Sequence, residues 1–211
     1  MTDHPIIFSA GMVHALLSGR KTQHRVPLKP QPEAGSYRLA MYDQPRRVAF
    51  GHDAYANKWV HRIPYAPGDR IWVKETHSVW ADAESARAAQ CIEGSDDPCI
   101  YRADFKDGTD SVAIGGTGWR SPVTMPRWAS RLTLIVTDVR VQRVQDINRG
   151  DAMGEGCPFP NMAAGPDPRE WFRAIWNSLH GPDAWAANPW VAALTFTTHH
   201  QNIDQMEPPN D

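Results

Sequence analysis

Arg131-Leu-Thr-Leu-Ile-Val-Thr-Asp-Val-Arg-Val-Gln-Arg-Val144 alternates apolar and polar residues and is rich in β-branched side chains. That pattern predicts the longest strand of the chain, with a bend near Thr137-Asp138. Shorter strands follow from the same reasoning on either side. Pro67-Gly-Asp69 is a turn that opens the alternating run Arg70 to Thr76, and Pro5 to Phe8, Ile100 to Ala103 and Trp190 to Thr198 read as three more. Helices fall between them. Ser9 caps a first helix with Met12, Val13, Leu16 and Leu17 as its apolar stripe and Gly19 as its stop. Asn148 caps a second, Arg149 to Glu155, ended by Gly156 and Pro158. Asp167-Pro168-Arg169-Glu170 opens a third with a capping-box pattern; Trp171, Ala174, Ile175 and Leu179 share one side of it, and Gly181 ends it.

The remainder is connection. Residues 27–66, rich in Pro, Gly, Tyr and Arg, form a long excursion, and residues 82–98 an acidic insertion with a short helix around Ala83–Ala89. Gly115 to Gly118 is a flexible approach to Trp119, and residues 202–211 are a polar, frayed tail. Strands outnumber helices and no repeat is present. The expectation is one α+β, mainly β domain over residues 1–201, a small barrel flanked by helices.

Composition narrows the class. The 211 residues are 41% hydrophobic and 22% charged, which is ordinary globular material. No run of about 18 apolar residues occurs, so no transmembrane helix is expected. Met1-Thr-Asp-His-Pro5 has no basic region followed by an apolar stretch, and the 3 cysteines have no Cys-x-x-Cys spacing. Both features point to a reducing, cytoplasmic setting rather than a disulfide framework. The net charge of −2 hides a segregation. Residues 1–80 carry 11 Lys/Arg against 6 Asp/Glu and residues 111–149 carry 6 against 2, whereas residues 150–211 carry 2 against 8. A basic face on a slightly acidic protein is possible with that distribution, and tight non-specific binding of long duplex DNA is not expected.

Five blocks in order resemble the ASCH domain, a branch of the PUA-like superfamily. They are Leu17-Ser-Gly-Arg-Lys-Thr22; Pro67-Gly-Asp-Arg-Ile-Trp-Val73 with Glu75; Trp119 leading to Met125-Pro-Arg-Trp-Ala-Ser-Arg131; Val144-Gln-Asp-Ile147 leading to Ala152-Met-Gly-Glu-Gly156; and Asn188-Pro-Trp-Val191. The resemblance implies a PUA-like β-barrel whose cleft, beside the first helix, takes RNA or a modified base. It also implies a phage or prophage origin for this longer form. One ASCH group hydrolyses the acetyl group from N4-acetylcytidine with a Lys, a Thr three residues later, and a Glu on an Ala-x-x-Glu helix. Carried over by motif, the Lys is Lys21 and the Glu is Glu155, which are then expected to meet within about 6 Å. His24 stands where that group has its Thr, so the hydroxyl is absent here.

Read as chemistry, a Lys21–Glu155 pair in a cleft offers a proton acceptor and an oxyanion partner. His24 can serve as a base for water, contact a phosphate or base, or be a partly exposed histidine without a role. Thr22, next to Lys21 on an extended segment, should point away from the same cleft. Arg20, Arg25, Arg120, Arg127 and Arg131 are candidate phosphate contacts, and Trp119 and Trp128 can stack on bases or serve as core beneath a solvated arginine row. Glu75 either faces the cleft or pairs with Arg131. No spacing fits a metal site or a phosphate-binding Gly-Lys-Ser/Thr loop, so no cofactor is expected. Two functions stand side by side: a hydrolase of a modified nucleoside or of RNA, and a non-catalytic module that recognises RNA, a modified base or DNA.

Overall fold

The computed structural model describes residues 2–39, 46–52, 59–79, 99–105, 118–159 and 165–206. Its centre is a five-stranded mixed sheet. Strands β1 (Asp3–Ile7), β6 (Arg70–Lys74), β9 (Thr133–Arg143), β10 (Trp190–His199) and β2 (Gln23–Pro27) lie in that spatial order. β1 runs parallel to β6, and the remaining neighbours are antiparallel. The decisive stretch is β9, and its bend is a bulge: Thr195 pairs with Asp138 and Phe196 with Val136, leaving Thr137 as the extra residue.

Side-chain alternation then builds two layers. On β6, Ile71 and Val73 are buried while Arg70, Trp72 and Lys74 are half-buried, as a two-residue period demands. Ile71, Val73, Leu134, Ala192 and Leu194 join Val13 and Leu16 of helix α1 (Ala10–Leu17) in the main core. Val191, pointing to the opposite face of β10, packs with Ala152 of α2 (Arg149–Gly154) and with Phe172 and Trp176 of α3 (Pro168–His180). β10 is therefore buried on both faces, which explains its unbroken apolar run from Trp190 to Leu194. The three caps form as read. Ser9 accepts from the Met12 amide, Asn148 from that of Asp151 and Asp167 from that of Arg169.

Four expectations change. The strand order leaves β1 and β2 as edges, and among the described residues the sheet does not close into a barrel; the link between these edges is α1 rather than a hydrogen-bonded ladder. Within the excursion, β3 (Tyr37–Arg38), β4 (Arg47–Gly51) and β5 (Trp59–Arg62) form a second, antiparallel sheet that sends Val48 and Phe50 into the main core. On α3, Phe172 and Trp176 are the core residues, while Ala174 and Leu179 are exposed. Asn202 donates its side-chain amide to the carbonyls of Arg127, Trp128 and Ser130, and Ile203 is buried, so the chain holds to the sheet through residues 202–206. The small sheet of β7 (His77–Val79) and β8 (Cys99–Tyr101) completes the strands. The expected helix at Ala83–Ala89 lies outside the described residues, as does most of the run before Trp119.

The end of α2 presses on the end of α1 through Gly156. That residue sits at φ +104°, and a Cβ there would lie 2.8 Å from the Cβ of Ala15. Gly156→Ala is expected to cost about 1–3 kcal/mol through backbone strain and overpacking. Urea or thermal unfolding measures it, and an unchanged midpoint would mean that the two helix ends are not in contact.

Candidate functional site

The site forms where two chain reversals meet. Gly19, at φ +69°, ends α1, and the amides of Arg20 and Lys21 both donate to the Ala15 carbonyl. The chain then meets the end of α2: Lys21 and Glu155 form an isolated antiparallel bridge, and the Thr22 amide donates to the Gly154 carbonyl at 2.7 Å. Glu155 is the C-terminal cap of α2, and Gly156 turns the chain away behind it. The carboxylate is thus fixed by backbone geometry before any ion pair is counted.

Lys21 and Glu155, implied partners by the ASCH resemblance, are in contact. The Lys21 ammonium donates to Glu155 Oε2 at 2.8 Å, to the Glu155 carbonyl at 3.0 Å and to the Gln23 carbonyl at 2.8 Å. All three of its protons have acceptors. Arg25 lies on β2 opposite Ala193 of β10 and reaches the same carboxylate from the α3 side. Its Nη1 donates to Glu155 Oε1 at 2.9 Å and its Nη2 to Asp151 Oδ2 at 3.0 Å. Asp151 and Glu155 stand four residues apart, one helical turn, which lets a single guanidinium fork span both. Gln23 and Arg140 also donate to Asp151, at 2.9 and 3.0 Å. Lys21 and Arg25 are 1% exposed and Glu155 7% exposed, so this is a buried network rather than a surface pair.

His24 approaches from the other face of β2. It pairs in register with Leu194, meets the Phe8 ring edge-on at 4.9 Å between centroids, and places Nδ1 3.9 Å from Glu155 Oε2. Burial, followed by the positive charge of Lys21, pushes its pKa down to about 3. It is a neutral imidazole at neutral pH and a weaker base than an unperturbed histidine. Burial acts to raise the pKa of Glu155, but the cations around it, Lys21 first, outweigh that and hold it below the ordinary carboxylate value.

These groups line one end of a cavity of about 600 Å³. Met12 of α1 and Trp171, Phe172, Ile175, Trp176 and Leu179 of α3 form its apolar wall. Of the α3 side singled out in the sequence, Trp171, Ile175 and Leu179 face the cavity. Thr22 does not line it, whereas Lys21, His24 and Arg25 do.

The remaining sequence candidates gather elsewhere. Arg131 forms a two-pronged pair with Glu75, Nε to Oε1 at 2.9 Å and Nη2 to Oε2 at 3.0 Å, binds Asp104 through Nη1, and lies over the Tyr101 ring. Glu75 thus pairs with Arg131 instead of opening to the cleft, and burial raises its pKa. Arg127 is held by Asp3 at 2.6 Å and Asp204 at 2.7 Å. Trp119 packs against Phe105, Arg120 bridges to His77 through its backbone, and Trp128 is 54% exposed. None of these residues lines the cavity. Of the arginine candidates, Arg20 and Arg25 do. The sequence reading missed Asp151, although its four-residue spacing from Glu155 on a capped helix was visible.

No family model matches the chain, and no curated protein does. Among solved structures, the chain is similar to protein EF3133 from Enterococcus faecalis V583, described under the family model DUF984. That likeness has 9% identity and a TM-score of 0.41, and it covers 98% of this chain and 86% of the other. No helix among the described residues is long and apolar enough to cross a membrane.

The buried charges predict a distinct acid response. His24 titrates near 6.5 when unfolded and near about 3 when folded. The unfolded chain therefore binds the extra proton first, and stability falls as pH drops from about 6.5 toward about 3. Glu155 acts with the same sign lower down: its stabilisation is complete above its ordinary value of 4.5 and is lost as pH falls through its folded value. Replacing His24 by Gln should flatten the melting temperature between about pH 6.5 and pH 4.5 relative to the unaltered protein. Parallel curves for the two proteins would show that the imidazole is not desolvated.

Proposed function

We propose that this chain is an ASCH-type member of the PUA-like superfamily that hydrolyses the amide of an N4-acylated cytosine nucleoside in the cavity beside α1. The observation that carries this reading is the contact of Lys21 with Glu155 at 2.8 Å on the floor of an apolar-walled cavity. Those are the two residues that the motif blocks carry over from the acetylcytidine-hydrolysing group. The aromatic wall suits a planar base, and about 600 Å³ has room for a nucleoside. In the proposed reaction, water adds to the acyl carbon as Glu155 accepts its proton, directly or through His24. Lys21 faces the developing oxyanion. The proton then passes to the departing N4 amine, giving cytidine and the free acid.

A second reading, recognition of a modified base or RNA without turnover, is favoured by His24. The residue brings no hydroxyl, and its depressed pKa makes it a poor base at rest.

Incubation with N4-acetylcytidine and related N4-acyl nucleosides, followed by mass spectrometry, separates the two. The hydrolase reading expects cytidine to accumulate, and Glu155→Gln to slow it by about 10²–10⁴-fold, the usual contribution of a positioned base. The Gln variant leaves two buried cations short of a counter-charge and should lose about 3–5 kcal/mol, so it is assayed below its own melting temperature. His24→Thr supplies the group's hydroxyl, and a gain in rate would mean that this hydroxyl is what the site lacks. Binding of N4-acetylcytidine without conversion by any of the three proteins would overturn the hydrolase reading and leave recognition.

A further inference from the structure

The charge of the cavity does not match a neutral nucleoside. Arg20, Lys21 and Arg25 line it against the single carboxylate of Glu155. The second carboxylate behind Arg25, that of Asp151, also takes Arg140 at 3.0 Å, a guanidinium it shares with the exposed Asp138 at 3.5 Å. Counted over its lysine, arginine and glutamate side chains, the lining carries two positive charges in excess. Burial holds the pKa values of both His24 and His180 low, so these two add no positive charge at neutral pH and bring no negative charge to oppose the excess.

The excess has a definite location. Lys21 spends all three protons on Glu155 and the Gln23 carbonyl, and Arg25 spends its two Nη atoms on Glu155, Asp151 and Gln23, leaving its Nε without a partner among the described residues but buried. Arg20 is different. It is exposed at the rim, donates Nε to Ser18 Oγ at 2.9 Å and Nη1 to the Gly156 carbonyl at 3.1 Å, and has no carboxylate partner among the described residues. Its Nη2 makes no hydrogen bond among them. The two contacts brace the guanidinium against the turn that carries Glu155, so its unspent Nη2 is held at the mouth of the cavity while Lys21 holds the floor. A forked, braced donor set suits a tetrahedral anion.

We infer that the ligand of this cavity is phosphorylated, a nucleotide rather than a nucleoside, with Arg20 as the residue that takes its phosphate. The inference rests on the proposed nucleoside site and names its substrate class more narrowly. The phosphate can belong to a free nucleoside 5′-monophosphate or to an RNA backbone, which offer Arg20 the same non-bridging oxygens.

Calorimetric titration of the full chain tests it, with cytidine, cytidine 5′-monophosphate, ribose 5-phosphate and a cytidine-containing tetraribonucleotide as probes. The monophosphate should bind about tenfold tighter than cytidine at low salt, the scale of one charge-assisted hydrogen bond. That ratio should shrink as salt rises. Arg20→Gln should bring it to about one, and Arg20→Lys, which keeps the charge without the fork, should restore part of it. Since Arg20 is exposed, unchanged melting temperatures confirm that the variants fold. A tetraribonucleotide that shows the same dependence on Arg20 and binds tighter than the monophosphate assigns the phosphate to RNA; the reverse order assigns it to the free nucleotide. Equal affinities for cytidine and its monophosphate, or a preference that survives Arg20→Gln, overturn the inference and leave the nucleoside site intact. Ribose 5-phosphate binding that depends on Arg20, with no binding of cytidine, upholds the anion site and overturns the base-binding reading. Failure of every probe overturns both.

Discussion

The Glu155 carboxylate is held between Lys21 and Arg25, and the arrangement of this half of the molecule depends on that contact. Each oxygen receives a different cation, Oε2 from Lys21 just before the edge strand β2 and Oε1 from Arg25 within it. The pair therefore ties α2 to β2 without requiring that strand to find another sheet partner. It also fixes α3, because Arg25 lies over the Phe172 ring at 5.7 Å while Phe172 packs with Val191 and Ala152. A buried ion pair of this kind is a poor source of net stability, since desolvating two charges consumes most of their attraction. What it supplies is exclusivity. Any packing that separates Glu155 from either cation leaves a charge stranded in an apolar setting, so alternative placements of α2 are penalised.

How much of this was legible follows from the range of each interaction. Local signals were read correctly. Ser9, Asn148 and Asp167 cap the helices because capping is settled within three residues, and the β9 bulge falls at Thr137 because polar residues break the alternation there. The β3–β5 sheet was not read, because two- to five-residue strands are too short to show a period, and their order comes from pairing with one another. On α3, Trp171, Ile175 and Leu179 form an apolar stripe as convincing as the one that holds Phe172 and Trp176. Periodicity identifies apolar faces but cannot say which meets the core and which meets a cavity. The Lys21–Glu155 contact spans 134 residues and came only from the resemblance of two motif blocks.

The arginine row teaches a related lesson about charge counting. Residues 111–149 have 6 basic against 2 acidic side chains, which reads as a basic surface. Their partners come from other segments: Glu75 and Asp104 for Arg131, Asp3 and Asp204 for Arg127. A phosphate that approached these guanidiniums would have to displace carboxylates already in contact. Local excess of one sign therefore overstates the field wherever the fold brings the compensating sign from a distance. Arg20 is informative for the opposite reason, since its two partners are neutral oxygens and no carboxylate among the described residues compensates its charge.

The same accounting bears on how the proposed chemistry could begin. At rest, the Lys21 ammonium has no proton left for a substrate, and Glu155 is too stabilised as an anion to be an effective base. These are faces of one interaction. If a carbonyl oxygen in the cavity takes one of the Lys21 protons, the contact most easily surrendered is the side-chain bond to Glu155 Oε2, because the two backbone acceptors are fixed, Glu155 by the bridge and Gln23 by β2. Glu155 then loses a donor in a site from which the ligand has also expelled water, and both changes raise its proton affinity. His24, 3.9 Å from that same oxygen, is the neighbour placed to feel the change. In this arrangement basicity is not a resting property of Glu155. It develops when a ligand of the right shape takes the lysine, which couples activation of the base to recognition of the carbonyl it would attack.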